Sequence, residues 1–181
     1  KPASFTISKK VSGEFADKTK EFNYSLTLTQ GSVTLGTTSV NATIYNGNTS
    51  TGKTVSFKFG TANQFTLKDG QSLKFENNLP AGTTYTLTET GATGYTASAV
   101  ITENGAAPTS VSGTEGNGLD SGKTYLIGEG TNSVAFTNTY KDVTPTGISI
   151  NNSPFVALIL ISAAALAAFI FLKKFRMHLE K

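Results

Sequence analysis

The sequence predicts an all-β fold, an antiparallel β-sandwich, followed by a linker and one C-terminal apolar helix. Three observations carry this. Short stretches of alternating apolar and polar residues recur through residues 1–141, with turn signals between them. No 3.6-residue period intervenes, and Thr, Gly, Ser and Asn dominate the composition, which favours strands and turns. Residues 155–172, "FVALILISAAALAAFIFL", then form an apolar run interrupted only by Ser162.

The first strand is "FTISKKV", with Phe5, Ile7 and Val11 on one face. "SGEFADKTKE" follows as a polar loop. "FNYSLTLT" alternates cleanly, with Phe22, Tyr24, Leu26 and Leu28 on one face. Further strands are expected at "SVNATIYN", "TVSFKFG", "QFTLKDG", "QSLKFENN", "TTYTLTET", "YTASAVIT", "KTYLIG" and "NSVAFTNTY". "NGNTSTG", "KDGQ", "LPAG" and "TGKT" read as turns between them. Residues 103–122 read as a long Gly/Ser loop, expected to be mobile. Many short strands of this kind pack as two antiparallel sheets.

Composition excludes several functions. Cysteine is absent, and the single histidine is His178, beyond the apolar run. The body therefore has no disulfide, no thiolate or imidazole metal site and no His-dependent triad. No metal or cofactor is expected, and an extracellular hydrolase fits poorly. Acidic and asparagine residues show no calcium-loop spacing. The net charge of +3 belongs to the tail, where Lys173, Lys174, Arg176 and Lys181 face Glu180; the rest holds eleven basic and eleven acidic residues. No basic face remains to suggest nucleic acid.

The apolar run spans about 27 Å as a helix, close to a thin hydrocarbon core. A transmembrane helix is expected over residues 154–172, with 173–181 as a basic cytoplasmic tail and the body outside. Residues 142–153 read as an extended linker carrying Pro145 and Gly147. No leader or initiator Met precedes Lys1, so the sequence is expected to be a trimmed form or a fragment.

Three polar residues stand on inward registers. Lys9 shares the face of Phe5, Ile7 and Val11; Glu89 continues that of Tyr85 and Leu87; Asn138 continues that of Val134 and Phe136. A lone buried charge is costly, so such groups pair or neutralise. Burial lowers a lysine pKa and raises that of a carboxyl. A neutral lysine amine is a nucleophile, and a nearby carboxylic acid can donate to an amide and shuttle protons as ammonia leaves. The product would be a Lys–Asn isopeptide bond, made once. Blander readings stand beside this one: Lys9 reaching to solvent, a simple Lys9–Glu89 ion pair, and Asn138 as a strand-end hydrogen-bonder.

"FTISKKVSG", "FNYSLTL", "FTLKDG", "NLPAGTTYTLTE" and "FTNTY" resemble successive strands of the immunoglobulin-like, CnaB-related isopeptide-forming domains of Gram-positive pilins. The nearest likeness is to the C-terminal domain of streptococcal major pilins. The resemblance implies an Ig-like sandwich over residues 1–141. It also implies a crosslink between Lys9 and Asn138, with Glu89 as the proton donor.

The order "TPTG", spacer, apolar span and basic tail resembles the sorting signal of Gram-positive wall proteins. That likeness implies recognition of Val143, Thr144, Pro145, Thr146 and Gly147 by a sortase. The cut falls between Thr146 and Gly147, and Thr146 is transferred to a cell-wall peptide or a neighbouring pilin. The commonest pattern is Leu-Pro-any-Thr-Gly. Here Val143 replaces the Leu and Thr144 the first Pro, closer to Val-Pro-Thr-Gly variants. Together the resemblances imply a structural surface protein of a Gram-positive bacterium, a pilin subunit or wall-proximal stalk. It would be no enzyme beyond its single self-crosslinking turnover. The alternative is a wall-anchored adhesin domain that binds a host protein or glycan, with residues 103–122 the place to look.

Overall fold

A computed structural model of the chain describes residues 1–31, 39–121, 123–141 and 153–179, with side chains in the last segment described from Leu158 to Lys173. The chain divides into two units, Lys1–Asp142 and Val143–Lys181.

The first unit holds twelve strands among the described residues: β1 (Pro2–Ser12), β2 (Phe22–Thr29), β3 (Ser39–Asn46), β4 (Thr49–Lys58), β5 (Ala62–Leu67), β6 (Gln71–Pro80), β7 (Thr83–Glu89), β8 (Tyr95–Thr102), β9 (Thr109–Ser112), β10 (Leu119–Asp120), β11 (Tyr125–Ile127) and β12 (Ser133–Tyr140). One sheet runs β4-β3-β6-β1-β12-β8-β9. The other runs β10-β7-β2-β5, with β11 also paired to β7. Their inner faces meet in a core of Phe5, Ile7, Tyr24, Leu26, Phe57, Leu73, Phe75, Leu87, Val134 and Phe136, all buried. Each such side chain contributes about 1.5–3 kcal/mol through removal from water. The alternation in the sequence places them there. In β2, Phe22, Tyr24, Leu26 and Leu28 are buried while Asn23 and Thr29 are exposed.

Three expectations need correction. The sandwich is not wholly antiparallel: β1 and β12 lie side by side and parallel, with Thr6 opposite Ser133 and Ser12 opposite Thr139. The "TGKT" stretch lies inside β4, where Gly52 takes a left-handed φ of 75° and the β3–β4 register shifts. The extra residues bulge the strand without ending it. Residues 103–121 are not a featureless loop. They include β9, paired to β8, and β10, paired to β7. Their main chain is further tied by Gly113 N–H to Ala97 O, Gly116 N–H to Tyr95 O and Ser121 N–H to Leu87 O.

In the second unit, α1 (Ser153–Leu179) carries exposed apolar side chains, among them Leu158, Ile161, Leu166 and Leu172. Among the described residues, no helix is long and apolar enough to cross a membrane. The apolar run begins at Phe155, before the first described side chain, so the expected span at 154–172 draws no support from them. The sorting stretch Val143–Gly147 lies outside the described residues.

Candidate functional site

The parallel pairing of β1 and β12 brings the inward register of the first strand against that of the last. Val11 sits opposite Asn138 and Lys9 opposite Phe136, so the Lys9 and Asn138 side chains lie on a diagonal. The turn after β5 fixes Lys9 further. Gly70 N–H donates to Lys9 O at 3.0 Å, and Val11 N–H donates to Asp69 Oδ1 at 2.6 Å. Gly70 has a left-handed φ of 74°, which only glycine adopts without strain. The "KDG" turn, which by sequence is merely a turn, thus holds the lysine's stretch of main chain.

Glu89 comes from the other sheet. It ends β7, with Tyr24 of β2 opposite on one side and Leu119 of β10 on the other. Gly118 approaches so closely that a Cβ there would lie 2.2 Å from Glu89 O. This contact needs a residue without a side chain, and it fixes the end of β7.

All three residues singled out by the sequence are buried together. Relative exposure is 3% for Lys9, 0% for Glu89 and 1% for Asn138, so Lys9 does not reach to solvent. Lys9 Nζ donates to Glu89 Oε2 at 3.0 Å and to Asn138 Oδ1 at 2.5 Å. Asn138 Nδ2 donates to Glu89 Oε1 at 2.5 Å. The ion pair is therefore present, but as one side of a closed triangle. Glu89 faces the amide nitrogen, and the carbonyl oxygen is contacted by Lys9 instead.

Two residues of β2 complete the site. The Phe22 ring lies beneath Lys9 Nζ, 3.8 Å from its centroid. The Tyr24 hydroxyl donates to Glu89 Oε2 at 2.9 Å. Burial lowers the Lys9 pKa to about 8, although the Glu89 and Asp69 charges oppose the shift. Burial, then the Glu89 charge, raises Tyr24 well above the usual phenol range, so its hydroxyl stays a donor. By sequence, Phe22 and Tyr24 count only as core residues. Their inward register is legible in the sequence, and their place beside Glu89 comes from the β2–β7 pairing. No cluster able to hold a metal ion occurs among the described residues.

The sandwich thus sets a lysine and an amide side by side on its first and last strands. A family model described as "Domain of unknown function (DUF7601)" matches residues 3–140, and the chain belongs to that family. It is 36% identical over 149 residues to the pilus tip adhesin Cpa of Streptococcus pyogenes, covering 80% of this chain and 18% of the adhesin. It is 28% identical over 176 residues to a pilin of Streptococcus pyogenes serotype M1, covering 94% of this chain and 48% of the pilin. The chain thus spans about half of one relative and under a fifth of the other. The crystal structure of the S. pyogenes major pilin superposes with a TM-score of 0.59 at 26% identity, and that of a mutant with 0.63; each match covers 77% of this chain and 48% of the pilin.

Proposed function

We propose that the chain is a structural domain of a pilus-related, wall-anchored surface protein of a Gram-positive bacterium, locked by an isopeptide bond between Lys9 and Asn138. The observation that supports this most is the closed triangle of Lys9, Glu89 and Asn138 in a site without water access. In the reaction, a proton passes from the Lys9 ammonium to Glu89, leaving a neutral amine. Nζ attacks the Asn138 Cγ as the carbonyl electrons move onto Oδ1. Glu89 gives its proton to Nδ2 and takes one from Nζ. The carbonyl reforms, the Cγ–Nδ2 bond breaks and ammonia departs. Glu89 ends protonated beside a new amide. Oε1 facing Nδ2 suits this delivery to the leaving nitrogen.

The bond would join positions 129 residues apart. By analogy with disulfides, closing such a loop stabilises by about 5 kcal/mol. Tension along the chain would load β1 and β12 in shear, and the bond would carry it past both sheets.

In intact-mass measurement, the purified chain should weigh one ammonia less than its sequence. Digestion should give one branched peptide joining the Lys9 and Asn138 segments. Glu89→Ala and Glu89→Gln should fold yet keep the full mass. A folded wild-type chain at full mass would falsify the crosslink.

Anchoring rests on the order of Val143–Gly147, the apolar run and the basic tail. A sortase would cut between Thr146 and Gly147 and pass Thr146 to a wall peptide or a neighbouring pilin subunit. Until then the 154–172 segment would hold the chain in the membrane. Pro145 biases Thr144 towards extended geometry, which suits an enzyme groove. Wall extracts should contain the chain ending at Thr146, and Thr146→Ala should leave it uncut in membranes. Wild-type chain found in membranes alone, with His178 attached, would replace this with a plain membrane anchor.

The relative named as a tip adhesin favours a second reading, a host-binding domain on the same scaffold. Loss of a host ligand on replacing residues 103–122 would support it.

A further inference from the structure

Resting on the condensation just described, we infer that Tyr24 is a positioning residue for it. The Tyr24 hydroxyl holds the plane of the Glu89 carboxylate so that Oε2 meets Lys9 while Oε1 meets the amide nitrogen that leaves.

The geometry makes this necessary. The terminal torsion of a glutamate is broad, so its carboxylate turns readily. An ammonium beside a carboxylate attracts both of its oxygens. Unopposed, that pull would turn Glu89 towards Lys9 and draw Oε1 away from Asn138 Nδ2. A third donor opposes the turn. Oε2 accepts from Lys9 at 3.0 Å and from Tyr24 at 2.9 Å, while Oε1 accepts from Asn138 at 2.5 Å.

Tyr24 is itself held. It lies opposite Glu89 in the β2–β7 register and is fully buried. Its ring stacks on Phe65 and meets Phe136 edge-on, each with centroids 5.1 Å apart. Phe136 is the residue opposite Lys9, so the same ring also packs against the strand that carries the electrophile. The hydroxyl is therefore a fixed point to which the carboxylate is referred.

Tyr24→Phe keeps these ring contacts and removes the hydroxyl. The full chain is made by cell-free synthesis, and aliquots are quenched in acid denaturant and weighed over time. Losing one hydrogen bond to a charged group should slow ammonia loss by about ten- to a hundredfold. Replacing the Tyr24 hydroxyl with an amino group, using 4-aminophenylalanine, restores a donor and should bring back most of the rate. Equal rates in wild type and Tyr24→Phe overturn the inference. So does a slow Tyr24→Phe that the amino group fails to rescue, because a missing donor to Glu89 would then not be the cause. If wild type itself never loses ammonia, the condensation falls and this role falls with it. If wild type does, only the Tyr24 outcome is in question.

Discussion

Strand β12 and the residue just before it present two buried asparagines on the same inward register, Asn132 and Asn138, with exposures of 4% and 1%. Their surroundings differ. Asn132 Oδ1 accepts from Asn104 N–H and Gly128 N–H, both at 3.0 Å. Its Nδ2 donates to Ser4 O, Gly128 O and Gly130 O at 3.1, 2.9 and 2.8 Å. All of these partners are main chain and none ionises. Asn138 meets a lysine and a glutamate, which can exchange a proton. The first amide ties β1 to the turn before β12. The second would be the substrate of the proposed condensation. A buried polar residue therefore says little about chemistry until its partners are named, since satisfied hydrogen bonds are the rule for such groups.

The sharpest way to break this comparison is to remove each amide in turn. Asn138→Ala should leave the chain at full sequence mass and cost about 5 kcal/mol in denaturant unfolding, the worth of the closed loop. Asn132→Ala should still lose one ammonia. It should unfold more easily by about 3 kcal/mol, because several main-chain groups lose their partner. An Asn132→Ala chain that kept its full mass would erase the distinction between the two sites.

A smaller effect is expected at Gly118. Alanine there pushes a Cβ into Glu89 O, whereas alanine at Gly47 meets nothing within 4 Å and faces only the φ of 56°. Gly118→Ala should cost about 1–3 kcal/mol by overpacking and slow ammonia loss. Gly47→Ala should cost about 1 kcal/mol and leave the rate alone. Equal rates in the two variants would mean that the end of β7 does not need this contact.

The mildest test is pH. The mechanism needs one proton shared between Lys9 and Glu89. As pH rises through about 8, the value to which burial lowers Lys9, the pair loses that proton. The amine is then neutral, but no acid remains for the leaving nitrogen. Ammonia loss should therefore slow above about pH 8. A rate that climbs through that range would mean the free amine alone limits the reaction, and Glu89 would lose its role as proton donor. Asn132, with no titrating partner, gives no such profile.

Much of the body was legible in the sequence. The bounds of β2, β3 and β8 follow the alternation of "FNYSLTLT", "SVNATIYN" and "YTASAVIT", because each buries one face over eight residues. Strands β9 and β10 escaped because four and two residues are too few to show a period. Parallel pairing of β1 and β12 was hidden because it depends on the whole chain path. Lys9, Glu89 and Asn138 stood out as polar residues on apolar faces, and the structure brings them together. The same rule picks out Asn132, on the register of Val134 and Phe136, and cannot say that its partners are main chain. Tyr24 escaped for the opposite reason: alternation counts it as an apolar ring and does not see its hydroxyl.

The parallel neighbours β1 and β12 also decide where the polypeptide enters and leaves the sandwich. β1 begins at Pro2 at one end, and β12, running the same way beside it, finishes at Tyr140 at the other. An antiparallel pair would put entrance and exit on the same side, and consecutive domains would have to double back. With the parallel pair, a string of such sandwiches would advance in one direction. An eleven-residue strand at about 3.3 Å per residue makes each step about 35 Å. The length of a filament built this way would be counted in strands.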